Sequence, residues 1–323
     1  MPHAPRIPVI LCIDAEPDGF FIDRRRSDPW LGYERSVEFF RRFRDRLQTS
    51  GEPARFTWCY RMDPQVAETY GAAEWVARHY ETLTAQLIGD GDELGLHAHG
   101  YRWEAAAGAW TIDHGNQSWI DHLVRMSFAA FDRAFGEPCR TFRFGDRWMS
   151  NATVRLLAEL GTRHDLTLEP GHPALDSHHP GRSSGSLPDY TGVPVDPYRP
   201  SPDDFRKPGG EGSGRLWMIP LTTAPVKARL FRRWYYRMAR PAANAGVWTA
   251  LVSHDPPLFR RIVAHALGRS SRPYLALVLR SNALATPRLA RRVSANLEGL
   301  LSHPLAGRLS WVTPAGLIAS LEP

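Results

Sequence analysis

Residues 7–13 read IPVILCI, an unbroken apolar run that stops at two acids, Asp14 and Glu16. A strand with one wet face alternates apolar and polar residues, whereas a run like this has both faces covered, as in a parallel sheet. Parallel strands need crossover connections, so helices should separate them. The chain supplies both. Residues 34–47 place Val37, Phe40, Phe43 and Leu47 at helical spacing. Further strands are expected at 56–60, 93–99 and 141–144, with helices at 64–87, 119–135 and 150–160, the last capped by Ser150 or Asn151. Strand-like segments at 216–221, 247–253, 274–280 and 309–313 then alternate with helix candidates at 227–240, 257–267 and 287–301, and a final helical turn closes the chain. The pattern predicts an α/β fold of about seven parallel strands, as a barrel or a doubly wound sheet.

With 323 residues, 43% of them hydrophobic and 11% aromatic, one catalytic domain over residues 1–323 is expected. Residues 171–214 shift to Pro, Gly, Ser, His and Asp without periodicity, which predicts an irregular insertion, either an ordered loop or a mobile lid. The three cysteines, Cys12, Cys59 and Cys139, are too scattered for a disulfide framework, and the first two read as small core residues. The first apolar run ends at an acid instead of a small-residue cleavage site, and no run is long enough to span a bilayer, so a cytoplasmic location is expected. The net charge of +6 comes far more from Arg than from Lys, which suits phosphate or carboxylate partners. No zinc finger, helix-turn-helix or stacked-aromatic RNA motif accompanies the charge, so nucleic acid is not an expected partner.

The chemistry-bearing residues sit at strand ends, where ligands of parallel α/β proteins gather. Asp14 and Glu16 stand two apart and share a face if the strand persists. In ELGLHAHG, residues 93–100, alternation puts Glu93, Gly95, His97 and His99 on one side. Imidazole nitrogen with carboxylate oxygen suits a divalent ion, zinc first, with cobalt, nickel or iron as alternatives.

These motifs resemble those of the polysaccharide deacetylases, the NodB homology family, whose fold is a distorted (β/α) barrel. The resemblance implies that Asp14 is the general base, that Glu16, His97 and His99 hold the metal, and that Arg143 in FRFGDRWMSN orients the catalytic acid. It also places Asp146, Arg147 and Trp148 at the substrate. Most members space the two histidines four apart, and most end a late strand in Leu-x-His, whose histidine is the general acid. Here the histidines are two apart and the strand reads LALVLRSN, with Arg280 in the donor's place. An Arg holds its proton at working pH, so Arg280 is expected to bind an anion. His254, at the end of TALVSH, is the leading substitute acid, followed by His164, His172, His178 and His179, and Glu169 reads as a loop acid without a role.

The resemblance therefore implies a metal-dependent hydrolase removing an acetyl or related acyl group from an amino sugar or a polysaccharide or glycoconjugate precursor. The basic, aromatic stretch 227–240 suggests a membrane surface or a lipid- or nucleotide-linked substrate. Rival readings are a deformylase or cyclic amidase on the same scaffold, or a carbohydrate-binding protein that lost its acid.

Overall fold

The computed structural model describes residues 5–19, 29–47, 53–177, 181–210, 212–226, 246–269 and 273–322. In chain order the elements are β1 (Ile7–Ala15), α1 (Leu31–Leu47), β2 (Thr57–Arg61), α2 (Pro64–Tyr70), α3 (Trp75–His79), α4 (Glu81–Gly89) and β3 (Glu93–Ala98). Next come β4 (Tyr101–Glu104), β5 (Ala109–Asp113), α5 (Gln117–Phe135), β6 (Thr141–Phe144), α6 (Asn151–Glu159), β7 (His164–Asp165), β8 (Ser183–Ser184) and β9 (Trp217–Met218). The remainder is β10 (Thr223–Pro225), β11 (Val247–Thr249), α7 (Pro256–Arg269), β12 (Leu275–Arg280), α8 (Pro287–Leu301), β13 (Leu309–Trp311) and α9 (Pro314–Leu321).

Seven parallel strands line up in the order β12-β1-β2-β3-β6-β7-β9, with β13 pairing the start of β1. The sheet curls into a half-barrel. Its ends meet where Thr222, just past β9, donates its N–H to the carbonyl of Ala276 in β12 at 2.9 Å and its hydroxyl accepts from the Ala276 N–H at 2.9 Å.

The curl explains the apolar run of β1. Ile7, Val9, Leu11 and Ile13 point outward into the large core shared with the helices. Ile10 and Cys12 point inward and pack with Cys59, Leu166, Ile219, Leu221, Ala276, Val278 and, from α9, Leu317 and Ile318. All three cysteines are free and buried, as expected of core residues. One more step of this alternation brings Asp14 to the inner face at the open end of the barrel.

Two stretches depart from expectation, and a third takes one of its two expected forms. The helix expected over 64–87 is three short helices, because Gly71 closes α2 in the left-handed region at φ 89°. The segment after β3 forms an unforeseen antiparallel hairpin, β4 with β5, to which β8 adds in parallel. Its signal was a period of two, since Tyr101, Trp103, Trp110 and Ile112 make one apolar cluster. The insertion over 171–214 carries little regular structure, yet Leu187, Tyr190, Val193, Tyr198 and Phe205 anchor it in the main core, so in its described parts it is an ordered loop. His178, His179 and the stretch 227–240 lie outside the described residues. Among the described residues no helix is long and apolar enough to cross a membrane.

Candidate metal centre

Strand periodicity delivers the site. Asp14 at the end of β1, His97 in β3 and Arg143 in β6 occupy inward positions on parallel strands, and His97 pairs with Arg143 in register. Glu16 and His99 follow two residues beyond Asp14 and His97, so all five groups converge at the carboxyl rim and all are buried.

The Glu16 Oε2 atom lies 3.6 Å from His99 Nε2 and 3.9 Å from His97 Nε2. The two Nε2 atoms are 2.9 Å apart. Each ring is fixed from behind. His97 Nδ1 donates to the Arg143 carbonyl at 3.1 Å, and His99 Nδ1 faces the Asp146 carboxylate at 3.3 Å. Both partners accept hydrogen bonds, so both Nδ1 atoms carry protons and both Nε2 atoms turn a lone pair to the centre. Two lone pairs cannot face each other at this distance without a proton or a cation between them. The Glu16 Oε1 atom is buried and has no hydrogen-bond partner among the described residues. An orphaned carboxylate oxygen and two converging lone pairs fit a divalent ion, and the three ligand atoms lie within 4.8 Å of one another.

The ionisation pattern divides the two imidazoles. Burial acts to raise the Glu16 carboxyl, but the His99 hydrogen bond, Arg280 and His97 outweigh it and hold the group down at about 2. Burial, with the nearby charges of His99 and Arg143, pushes His97 down to about 4, so its imidazole is neutral and free to ligate. His99 is also opposed by burial and by Arg61, yet its contacts with Asp146 and Glu16 raise it above the ordinary value.

Asp14 stands beside this centre, its Oδ1 3.9 Å from His97 Nδ1. Arg143 Nε donates to both Asp14 oxygens, at 2.9 and 3.1 Å, and a terminal nitrogen of Arg143 donates to the Leu166 carbonyl at 3.0 Å. Burial opposes the Arg143 charge, but Asp14 outweighs it and raises the guanidinium further.

The remaining expected residues divide. Asp146 is occupied by His99, and it does so from a left-handed backbone at φ 54°, as does Arg147, also at φ 54°. Two consecutive non-glycine residues in that region mark strain held at a functional site. Trp148 is buried against Phe144 and stacked on His114, which makes it a packing residue at the rim. Arg147 is buried and accepts from the Tyr190 hydroxyl through its carbonyl at 2.7 Å. Arg280 pairs with Asp14 in register at the end of β12 and keeps partial exposure. His254 turns its Nε2 to the Thr249 carbonyl at 3.1 Å. His164 lies two residues below Arg143, on the amino-terminal side of the centre, bound to the Thr141 hydroxyl at 3.0 Å.

Several contributors carry no sequence signal. Asp63 accepts from the His99 backbone N–H at 3.1 Å while paired with buried Arg61 at 2.8 Å. Ser281 clamps Glu16 by accepting from its N–H and donating to its carbonyl, both at 3.1 Å. Gly145 leaves room for His99, since a Cβ there would stand 2.3 Å from the imidazole. Glu169, expected to be a loop acid, is a half-buried group that accepts from the Thr249 hydroxyl at 2.7 Å and lies 3.6 Å from His172 Nε2.

No protein-family model matches the sequence, and no curated protein matches it significantly. Solved structures do resemble it. A Mycobacterium smegmatis protein described as a polysaccharide deacetylase aligns over 99% of this chain and 91% of its own at 15% identity, with a TM-score of 0.51. The PuuE allantoinase aligns over 99% and 91% at 13% identity and TM-score 0.53. A Parabacteroides distasonis protein described as a glycoside hydrolase/deacetylase aligns over 98% and 71% at 12% identity and TM-score 0.57. The chain therefore shares the NodB-like distorted barrel with these proteins, and in it carries a buried Glu16, His97 and His99 group able to hold a metal ion.

Proposed function

We propose that the chain is a metal-dependent hydrolase that removes an acetyl or related acyl group from an amino sugar or a glycoconjugate precursor. The observation that carries this reading is the convergence of Glu16 Oε2 and two imidazole Nε2 atoms beside a separate carboxylate, Asp14, held by Arg143. A divalent ion on Glu16, His97 and His99, zinc by preference for this donor set, supplies Lewis acidity that acidifies water and polarises a carbonyl.

The chain's own groups account for the proton traffic. Asp14 accepts a proton from the attacking water, and Arg143 holds its carboxylate in place and balances its charge. The departing amine needs that proton back. Arg280 cannot give one, His254 is turned to the Thr249 carbonyl, His172 to the Thr249 hydroxyl and Glu169, and His164 sits on the wrong side of the centre, so among the described candidates we assign the return of the proton to Asp14.

The test is metal analysis of the purified protein together with acetate release from a panel of N-acetylated sugars. One bound ion per chain and release that disappears in Asp14→Asn support the reading, and a protein that takes up no divalent ion would sink it. A cyclic amide is the second substrate class, suggested by the comparable fold likeness to an allantoinase.

A further inference from the structure

Building on the hydrolase reading, we infer that the substrate carries an anionic group, a carboxylate or a phosphate, near its scissile amide, and that Arg280 receives it. The position is set by geometry. Arg280 is the residue of β12 paired with Asp14, and it follows Ala276 and Val278 on the inward face of that strand. The two reciprocal hydrogen bonds between Ser281 and Glu16 lock the next residue of each strand end together, which fixes the end of β12 against the end of β1.

The other arginines of this rim have buried structural duties. Arg143 is held by Asp14 and Leu166, Arg61 by Asp63 and Gln65, and Arg147 reaches the Pro173 carbonyl at 3.4 Å, and all three are buried. Arg280 is the one of these four that keeps partial exposure.

Charge completes the case. The Asp14–Arg143 and Asp63–Arg61 pairs are each neutral, and a divalent ion is offset by the Glu16 and Asp146 carboxylates, so Arg280 leaves the site with one positive charge in excess. An uncharged amide offers nothing to offset that excess, whereas a carboxylate or phosphate does so and matches the guanidinium fork.

The test is equilibrium binding by calorimetry to the purified full chain, independent of turnover. Two matched pairs separate the chemistries: N-acetylmuramic acid against its methyl ester for a carboxylate, and N-acetylglucosamine 1-phosphate against N-acetylglucosamine for a phosphate. The charged member of one pair should bind roughly 10- to 100-fold more tightly, the size of a charge-assisted hydrogen bond. Arg280→Gln should remove the difference while metal content is retained, and Arg280→Lys, which keeps charge but loses the fork, should preserve part of it. Equal affinities within both pairs, no binding in either, or a preference that survives Arg280→Gln would overturn the inference. Metal uptake and acyl release without any charge preference would leave the hydrolase reading standing. A charge preference lost in Arg280→Gln, in a protein that takes up no metal, would separate the two ideas the other way.

Discussion

His97 Nε2 and His99 Nε2 stand 2.9 Å apart, each ring steered there by an acceptor on its far nitrogen. Without a cation, one of these nitrogens must hold a proton that ligation displaces, so metal uptake should release protons into a weakly buffered solution. His97→Ala removes a ligand and should lower metal affinity by at least about 100-fold, beyond what loss of a supporting contact costs. Elemental analysis after dialysis checks this, and normal occupancy would take His97 out of the ligand set.

The pair Asp14 and Arg143 separates rate from metal binding. Asp14→Asn should retain the ion and lower turnover by about 10²- to 10⁴-fold, the range for losing an acid–base group. Arg143→Met strands a buried carboxylate and should destabilise the fold by about 3–5 kcal/mol, while the double variant should recover much of that loss. Urea unfolding of the three variants gives the cycle, and additive losses would mean the two residues are not coupled.

Gly145→Ala probes the room behind His99. A methyl group there would meet the imidazole at 2.3 Å. We expect a folded protein with metal affinity reduced about 10- to 100-fold, comparable to disturbing a ligand's supporting shell. Unchanged affinity would show that the ring relaxes at no cost.

Asp165 gives a pH dependence away from the metal ligands. Burial pushes its carboxyl up from 3.8 to about 7, against hydrogen bonds from the Thr167 N–H and hydroxyl and the charge of Arg143. The folded state therefore binds this proton more tightly than the unfolded state does. Its contribution to stability is whole below 3.8, declines as pH rises toward 7 and is lost above it. The full span is on the order of 4 kcal/mol. Asp165→Asn, neutral throughout, should flatten the change in urea midpoint between pH 5 and pH 8; an unaltered slope would assign the dependence to other groups.

Much of the site was readable because strands have a short, strict period. The apolar run 7–13 announced a strand covered on both faces, and alternation alone placed His97 with His99 and Asp14 with Glu16. The helix over 287–301 was likewise legible from its apolar spacing, and its bounds agree with α8. The hairpin of β4 and β5 was missed because its alternation spans only a few residues on each side of a turn.

Local pattern thus settled which residues share a face and where β6 and β12 end, although the strands expected over 216–221 and 247–253 are shorter, at Trp217–Met218 and Val247–Thr249. Only tertiary structure decided what those ends meet. The curl of the sheet brought Arg143 to Asp14, Asp146 to His99, Arg280 level with Asp14, and Glu169 to the Thr249 hydroxyl. Periodicity is carried by neighbours in the chain, whereas side-chain partnership depends on sheet order and register between residues far apart in the chain, 47 positions for His99 and Asp146 and 129 for Asp14 and Arg143, which no local spacing encodes.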